Sequence, residues 1–176
     1  MNYFTRELWA GFNTEDDDEF RRTDETWWRN RDAYFRQLET LRPRLSKQAR
    51  RFFTSEDLHD GRLLSFDVSD DPAFDFESGK RLDRNARKTG VSMRALNYEQ
   101  DTLFVLRYTK IRRAIFDYPT GEPLFAKPGD AIGDWGYDEL TAADDGHLRH
   151  EVLFSSGTTI LIEFKHFSYR RLRRRK

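Results

Sequence analysis

The chain contains no cysteine. That excludes disulfides, thiolate metal sites and cysteine nucleophiles at once, and removes the usual support of a small secreted scaffold. No apolar run approaches the roughly 20 residues a membrane helix needs. The opening MNYFTRELW lacks a basic start followed by an apolar stretch, so neither a signal peptide nor a membrane span is expected and a cytoplasmic location is. No glycine-rich loop joins a strand to a helix, no Gly-x-Ser-x-Gly elbow occurs, and no His-Glu-x-x-His is present. Nucleotide, nucleophile-elbow and zincin chemistries therefore have no motif to stand on. No period of repeats and no low-complexity segment interrupts the chain.

Net charge is also missing: 31 Lys and Arg balance 31 Asp and Glu. The balance conceals an asymmetry, because residues 15 to 25 are rich in Asp and Glu while the end reads RRLRRRK. Such a basic end contacts phosphates in other chains, but the rest of this chain is not basic and holds no nucleic-acid module. No nucleic-acid partner is expected, and the end reads as a solvated run or one that pairs with the acid-rich start of the second helix.

What the chain does have is aromatic residues: 15 Phe, 7 Tyr and 4 Trp in 176 residues. A mean hydropathy of −0.89 leans towards disorder, but aromatics are scarce in chains that stay unfolded and bury large areas in those that do not. A globular protein with a heavily charged surface is expected.

Thr5 suits the cap of a short first helix. Thr14 suits the cap of a second, where Glu15 to Asp18 place negative charge at the positive end of the helix dipole. Phe20, Trp27, Trp28, Tyr34, Phe35, Leu38 and Leu41 then recur at helical spacing; the Trp27-Trp28 pair reads as core or sheet contact before it reads as an exposed binding patch. Pro43 either kinks this helix or opens another, running from about Arg42 to Phe53 with Leu45, Ala49, Phe52 and Phe53 inward. Ser55 to Asp60 reads as one more turn, and Gly61 ends it.

From there the pattern is strand. Leu64, Phe66 and Val68 alternate with Ser65 and Asp67; residues 69 to 90 read as an exposed loop; Phe104, Leu106 and Tyr108 share one face. IRRAIFDY ends at Pro119, a long connection follows around Gly121 to Gly129, and Trp135 and Tyr137 alternate in a short edge strand. The clearest unit is the last: HEVLFSSGTTILIEFKHFSY is a hairpin with Val152, Phe154, Ile160, Ile162 and Phe164 inward, and Gly157 free to take the positive φ of its turn. Helices first and strands afterwards, through mostly short turns, predict an α+β fold in which N-terminal helices pack on a mostly antiparallel, meandering sheet. One domain over 1–176 is expected, with helices in about 5–58, the sheet in about 61–170 and a basic tail at 170–176.

Candidate chemistry is confined to histidine and carboxylate. His59-Asp60 precedes a strand, and His147, His150-Glu151 and His166 lie near the last hairpin, with Asp138-Glu139 close in sequence. His59, Asp60, His150 and Glu151 are the catalytic candidates. Their spacing argues against them, since adjacent residues of a strand face opposite ways. No metal site and no cofactor is expected.

The segments MNYFTRELW, LHDGRLLSFDV, GDWGYDEL and HEVLFSSGTTILIEFKHFSYRR together resemble a family of uncharacterised bacterial proteins, a domain of unknown function. Its members open Met-x-Tyr-Phe-Thr, carry Leu-His-Asp before a strand and end on a His-Glu-(Ile/Val)-Leu-Phe-Ser-x-Gly hairpin. The resemblance implies no activity. Proteins of similar build resemble immunity proteins that neutralise bacterial toxins, an analogy of architecture. The function expected is therefore non-enzymatic protein binding, as in a toxin-immunity inhibitor, with Trp28, Trp135 and Tyr137 as binding candidates. The alternative is a hydrolase whose His and carboxylates converge from separate strands.

Overall fold

The structure, a computed structural model, describes residues 1–70, 77–81, 89–118 and 132–174. Helix α1 (Arg6–Gly11) is capped by Thr5, whose hydroxyl accepts from the Leu8 N–H at 3.3 Å. Helix α2 (Asp17–Leu41) is capped by Asp16 rather than Thr14. A carboxylate accepts from two backbone amides at once, those of Asp18 and Glu19 at 2.8 and 2.9 Å, and so serves the helix start better than one hydroxyl. Pro43 lies in a 3-10 turn, Arg42–Arg44, that separates α2 from α3 (Lys47–Ser55). Ser46 caps α3. The helical turn expected at Ser55 to Asp60 is absent: α3 ends at Ser55, and the chain reverses at Asp60 with φ of 57°.

The strands are β1 (Arg62–Ser69), β2 (Gly90–Leu96), β3 (Thr102–Thr109), β4 (Arg113–Asp117), β5 (Trp135–Ala142), β6 (Leu148–Phe154), β7 (Thr159–Phe164) and β8 (His166–Arg173). The fold is α+β with antiparallel pairing throughout, but in two four-stranded sheets instead of one, ordered β1-β2-β3-β8 and β4-β7-β6-β5. They share material. β3 runs on into β4 and β7 into β8 through short bends, and the two bends are stitched by Arg112 N–H to the Glu163 carbonyl at 2.9 Å and Lys165 N–H to the Thr109 carbonyl at 3.3 Å. On the other flank, Trp135 N–H reaches the Gly61 carbonyl at 2.7 Å and Asp60 N–H the Trp135 carbonyl at 2.8 Å, joining β5 to β1.

The inner faces make one core. Leu106, Val152, Phe154, Ile162 and Phe164 are fully buried, as the alternation of β3 and the final hairpin predicts, and Met93 of β2 is buried with them. Gly157 takes φ of 84° in the hairpin turn. α3 drives Phe52 and Phe53 into this core. Phe52 sits 5.1 Å, ring to ring, from both Phe167 and Tyr169. α2 adds Tyr34, Leu38 and Leu41. Each such side chain contributes about 1.5–3 kcal/mol of burial.

Two expectations fail for a physical reason. In β1, Leu64 and Val68 are 51% and 61% exposed. β1 is an edge strand with a bulge between Leu63 and Ser65; the bulge takes Leu64 out of the alternation and leaves Leu63 and Phe66 to pack. Val68, on the same face as Phe66, is exposed near the end of the edge strand. The basic tail, too, is partly strand. Arg170 to Arg173 are in β8, paired with Thr102 to Val105 of β3, and Arg171 bridges to Glu56 at 3.0 Å. Backbone pairing against an otherwise open strand edge outweighs the repulsion of like charges that alternate between faces. Of the segment 69 to 90, Asp71 to Phe76 and Leu82 to Lys88 lie outside the described residues, as does the connection around Gly121 to Gly129.

Candidate functional site

β5 is the edge of its sheet, and only part of that edge is covered. Trp135 is tied to β1, and the Leu140 N–H donates to the Tyr34 hydroxyl of α2 at 3.1 Å. Between them Gly136, Tyr137 and Asp138 border a cleft of about 350 Å³, at the small end of ligand-binding cavities. Its walls are Trp27, Tyr34 and Phe35 of α2, Phe52 and Phe53 of α3, and Phe4, with Glu56, Asp57 and His59 on one side and Arg31 on the other.

A bulge between Trp135 and Tyr137 builds this edge. The extra residue, Gly136, lies against the Trp9 ring, where a side chain would have no room. The bulge puts Trp135 on the inner face and Tyr137 on the outer, so the two do not act as a simple alternating pair. Trp135 is fully buried and offers a partner nothing. Tyr137 is half-buried; its ring stacks on Phe4 at 5.6 Å and meets Trp9 edge-on at 5.3 Å. Trp27 Nε1 is buried and completes no hydrogen bond among the described residues.

Asp138 is the polar floor of the cleft, and it is held from behind. Its Oδ1 accepts from Trp135 Nε1–H at 3.1 Å, and its Oδ2 lies 3.1 Å from His150 Nε2. His150 Nδ1 in turn lies 2.7 Å from the Tyr108 hydroxyl. Burial pushes the Tyr108 phenol well above its ordinary pKa, and the charge of Asp138 pushes the same way, so the phenol keeps its proton. The Asp138 carboxylate can only accept, so Nε2–H donates to it, and in the neutral imidazole Nδ1 then accepts from the Tyr108 hydroxyl. Every donor in the chain Tyr108–His150–Asp138–Trp135 is used. Tyr34 is likewise held protonated, first by burial and then by Asp138. The side chain of Asp138 is 26% exposed, whereas that of His150 is fully buried. Asp138 therefore faces the cleft, and His150 reaches it only through Asp138.

The four catalytic candidates are not brought together. His59 lines the cleft, where its Nδ1–H donates to the Gly136 carbonyl at 2.6 Å. Its neighbour Asp60 is turned away by its positive φ, and the two approach only to 3.7 Å, exposed. His150 is inward; Glu151 is on the outer face, 3.1 Å from the Met1 ammonium. His147 stays near its own turn and His166 is exposed. No cluster of three or more metal-binding side chains exists among the described residues. No helix among them is long and apolar enough to cross a membrane.

Of the binding candidates, Trp28 is 52% exposed. It belongs to a stack: the Arg31 guanidinium lies 5.2 Å from the Trp28 ring centre and 5.1 Å from that of Phe35. Sequence reasoning missed Arg31 and gave Asp138 no role. A signal for Asp138 existed, because His150 alternates with Val152 and Phe154 on an apolar face and a buried imidazole needs a partner for each nitrogen. No protein family, curated protein or solved structure matches the chain, so function must be read from this geometry.

Proposed function

We propose that the protein binds another protein, through the exposed aromatic ridge of α2 and the cleft behind it. The observation that carries this reading is the Trp28–Arg31–Phe35 stack, in which two large rings, 52% and 39% exposed, clasp a guanidinium at the mouth of an aromatic cleft. Trp and Arg dominate binding hot spots. Rings and guanidinium already stacked have less rotamer freedom to lose on docking. Phe20, 45% exposed, extends the apolar surface along the same helix.

The hydrolase alternative has less support. His150 is buried with both nitrogens engaged, and His59 Nδ1 is engaged by a carbonyl. A general base must be within reach of the proton it takes; Asp138, Asp57 and His59 line the cleft, but they are not joined into an acid–base pair by any hydrogen bond among the described residues.

The test pairs Trp28→Ala with pull-down and thermal melting. Trp28 makes few core contacts, so the melt should stay within the small range of surface substitutions, about 0.5 kcal/mol. Recovery of a specific partner from native cytoplasm should fall at least tenfold. Equal recovery by wild type and variant would remove the ridge from the interface.

A further inference from the structure

We infer that the cleft behind the ridge is a socket for an arginine side chain of the protein partner, anchored on Asp138. The inference rests on the protein-binding reading above and adds the chemistry of the group that enters. Three observations select it.

The first is charge. Glu56 is compensated within the fold by Arg51 at 3.5 Å and Arg171 at 3.0 Å, and it also accepts from the Tyr169 hydroxyl at 2.7 Å. That leaves Asp138 and Asp57 facing the single cation Arg31, whose guanidinium is already committed to Trp28 and Phe35 at the mouth. The interior is therefore short of positive charge.

The second is geometry. Each oxygen of Asp138 accepts one bond from behind, from Trp135 and from His150. A carboxylate oxygen has two acceptor directions, so each keeps one. Two parallel acceptors held without freedom to rotate match the fork of a guanidinium. The third is shape. The walls are aromatic, including Phe4, Tyr34 and Tyr137. Flat cations lie favourably on ring faces, and a guanidinium is flat where an ammonium is not. The stack at the mouth uses the same pairing with the chain's own Arg31.

His150 and Tyr108 are positioning residues here. They touch no partner; they fix the carboxylate that does.

The probes are three capped amino acids, N-acetyl-arginine amide, its uncharged isostere N-acetyl-citrulline amide, and N-acetyl-lysine amide. Each is titrated to saturation while the indole N–H resonances of Trp135 and Trp27 are followed by NMR. The arginine probe should move the Trp135 resonance saturably, because that N–H shares Asp138 with it, and should bind at least tenfold tighter than citrulline. Lysine should be weaker than arginine. These comparisons use the unaltered protein and do not depend on a variant folding. Asp138→Asn, checked by its melt, should lose at least tenfold for arginine and leave citrulline unchanged. No saturable shift with arginine, equal binding of citrulline, equal or tighter binding of lysine, or undiminished binding by a folded Asp138→Asn would each overturn the socket. Trp28→Ala separates the two readings, since Trp28 does not line the cleft. Retained arginine binding with lost partner recovery supports both. Lost partner recovery in a protein whose wild type ignores arginine leaves the ridge standing and removes the socket.

Discussion

The outer faces of the two sheets are polar in the same alternating way, yet they meet opposite fates. On β2, β3 and β8 the outward positions include Arg94, Arg107 and Arg170, and these stay exposed. On β5, β6 and β7 they include Glu139 and Glu163, and these are buried. The letters in the strands do not decide this; what lies over them does. Glu139 is covered by the chain's start, whose Asn2 and Tyr3 amides both donate to it, the latter at 2.9 Å. Glu163 is clamped by Arg112 and Arg149, each at 2.8 Å. The two buried carboxylates differ in turn. Burial raises the pKa of Glu139, and its neutral amide donors and the chain-start ammonium do not offset it. Burial would also raise Glu163, but two guanidinium groups outweigh it and the net shift is downward.

The largest effect should come from the inner face, which both sheets share. Ile162→Ala or Phe164→Ala should cost about 2–5 kcal/mol in urea unfolding; no loss in either would mean that the core lies elsewhere. Next comes the contrast between the outer faces. Glu163→Gln should cost about 1–3 kcal/mol, because charge-assisted bonds to two partly exposed arginines are weakened. Arg107→Gln should stay within about 0.5 kcal/mol. Equal costs would erase the distinction.

The carboxylates should also bend the pH profile in opposite directions. With Glu163 lowered in the folded state, its stabilisation is complete above the ordinary value of 4.5 and is lost as pH falls through the folded value. With Glu139 raised, the folded protein holds that proton longer than the unfolded chain. Its contribution therefore declines as pH rises from 4.5 through the folded value. Urea midpoints between about pH 3 and 7 should show Glu163→Gln with a shallower acid loss and Glu139→Gln with a shallower decline on the way up. Shifts of the same sign would contradict the assignment. Smallest of all, Arg171→Ala should cost less than about 1 kcal/mol, since the pair is partly exposed. Glu56 also keeps Arg51 and Tyr169. The adjacent Arg170→Ala should cost less still, and the reverse order would return Arg171 to the solvent.

The inner face was legible in β3 and the last hairpin, because their period-two alternation is imposed by the core they share. The same reading failed at Leu64 and at Trp135–Tyr137, where one extra residue in an edge strand reverses the faces and leaves no trace in composition. Gly136 was the only mark of the second bulge. Trp28 of the ridge was named as a binding candidate and His59 of the cleft as a catalytic one. Asp138 was not, because its role depends on Trp135, His150 and Tyr108, which come together only when residues of the two sheets meet in the core. The buried glutamates were illegible for a similar reason: their covers, the chain start and Arg112, come from distant parts of the sequence.

The shared bend of the long strands also sets an order of assembly. β8 is the last of the described strands in the chain, and its partner β3 lies far upstream, so β3 keeps an unpaired edge until the rest of the sheet region has been made. Until then, the apolar faces of β2 and β3 are a half-built wall whose open backbone is a template for pairing with another chain. The arginines of β8 therefore do more than end the sheet. They close that edge with a strand too charged to invite a second copy alongside it, so the step that completes the fold also withdraws its stickiest surface.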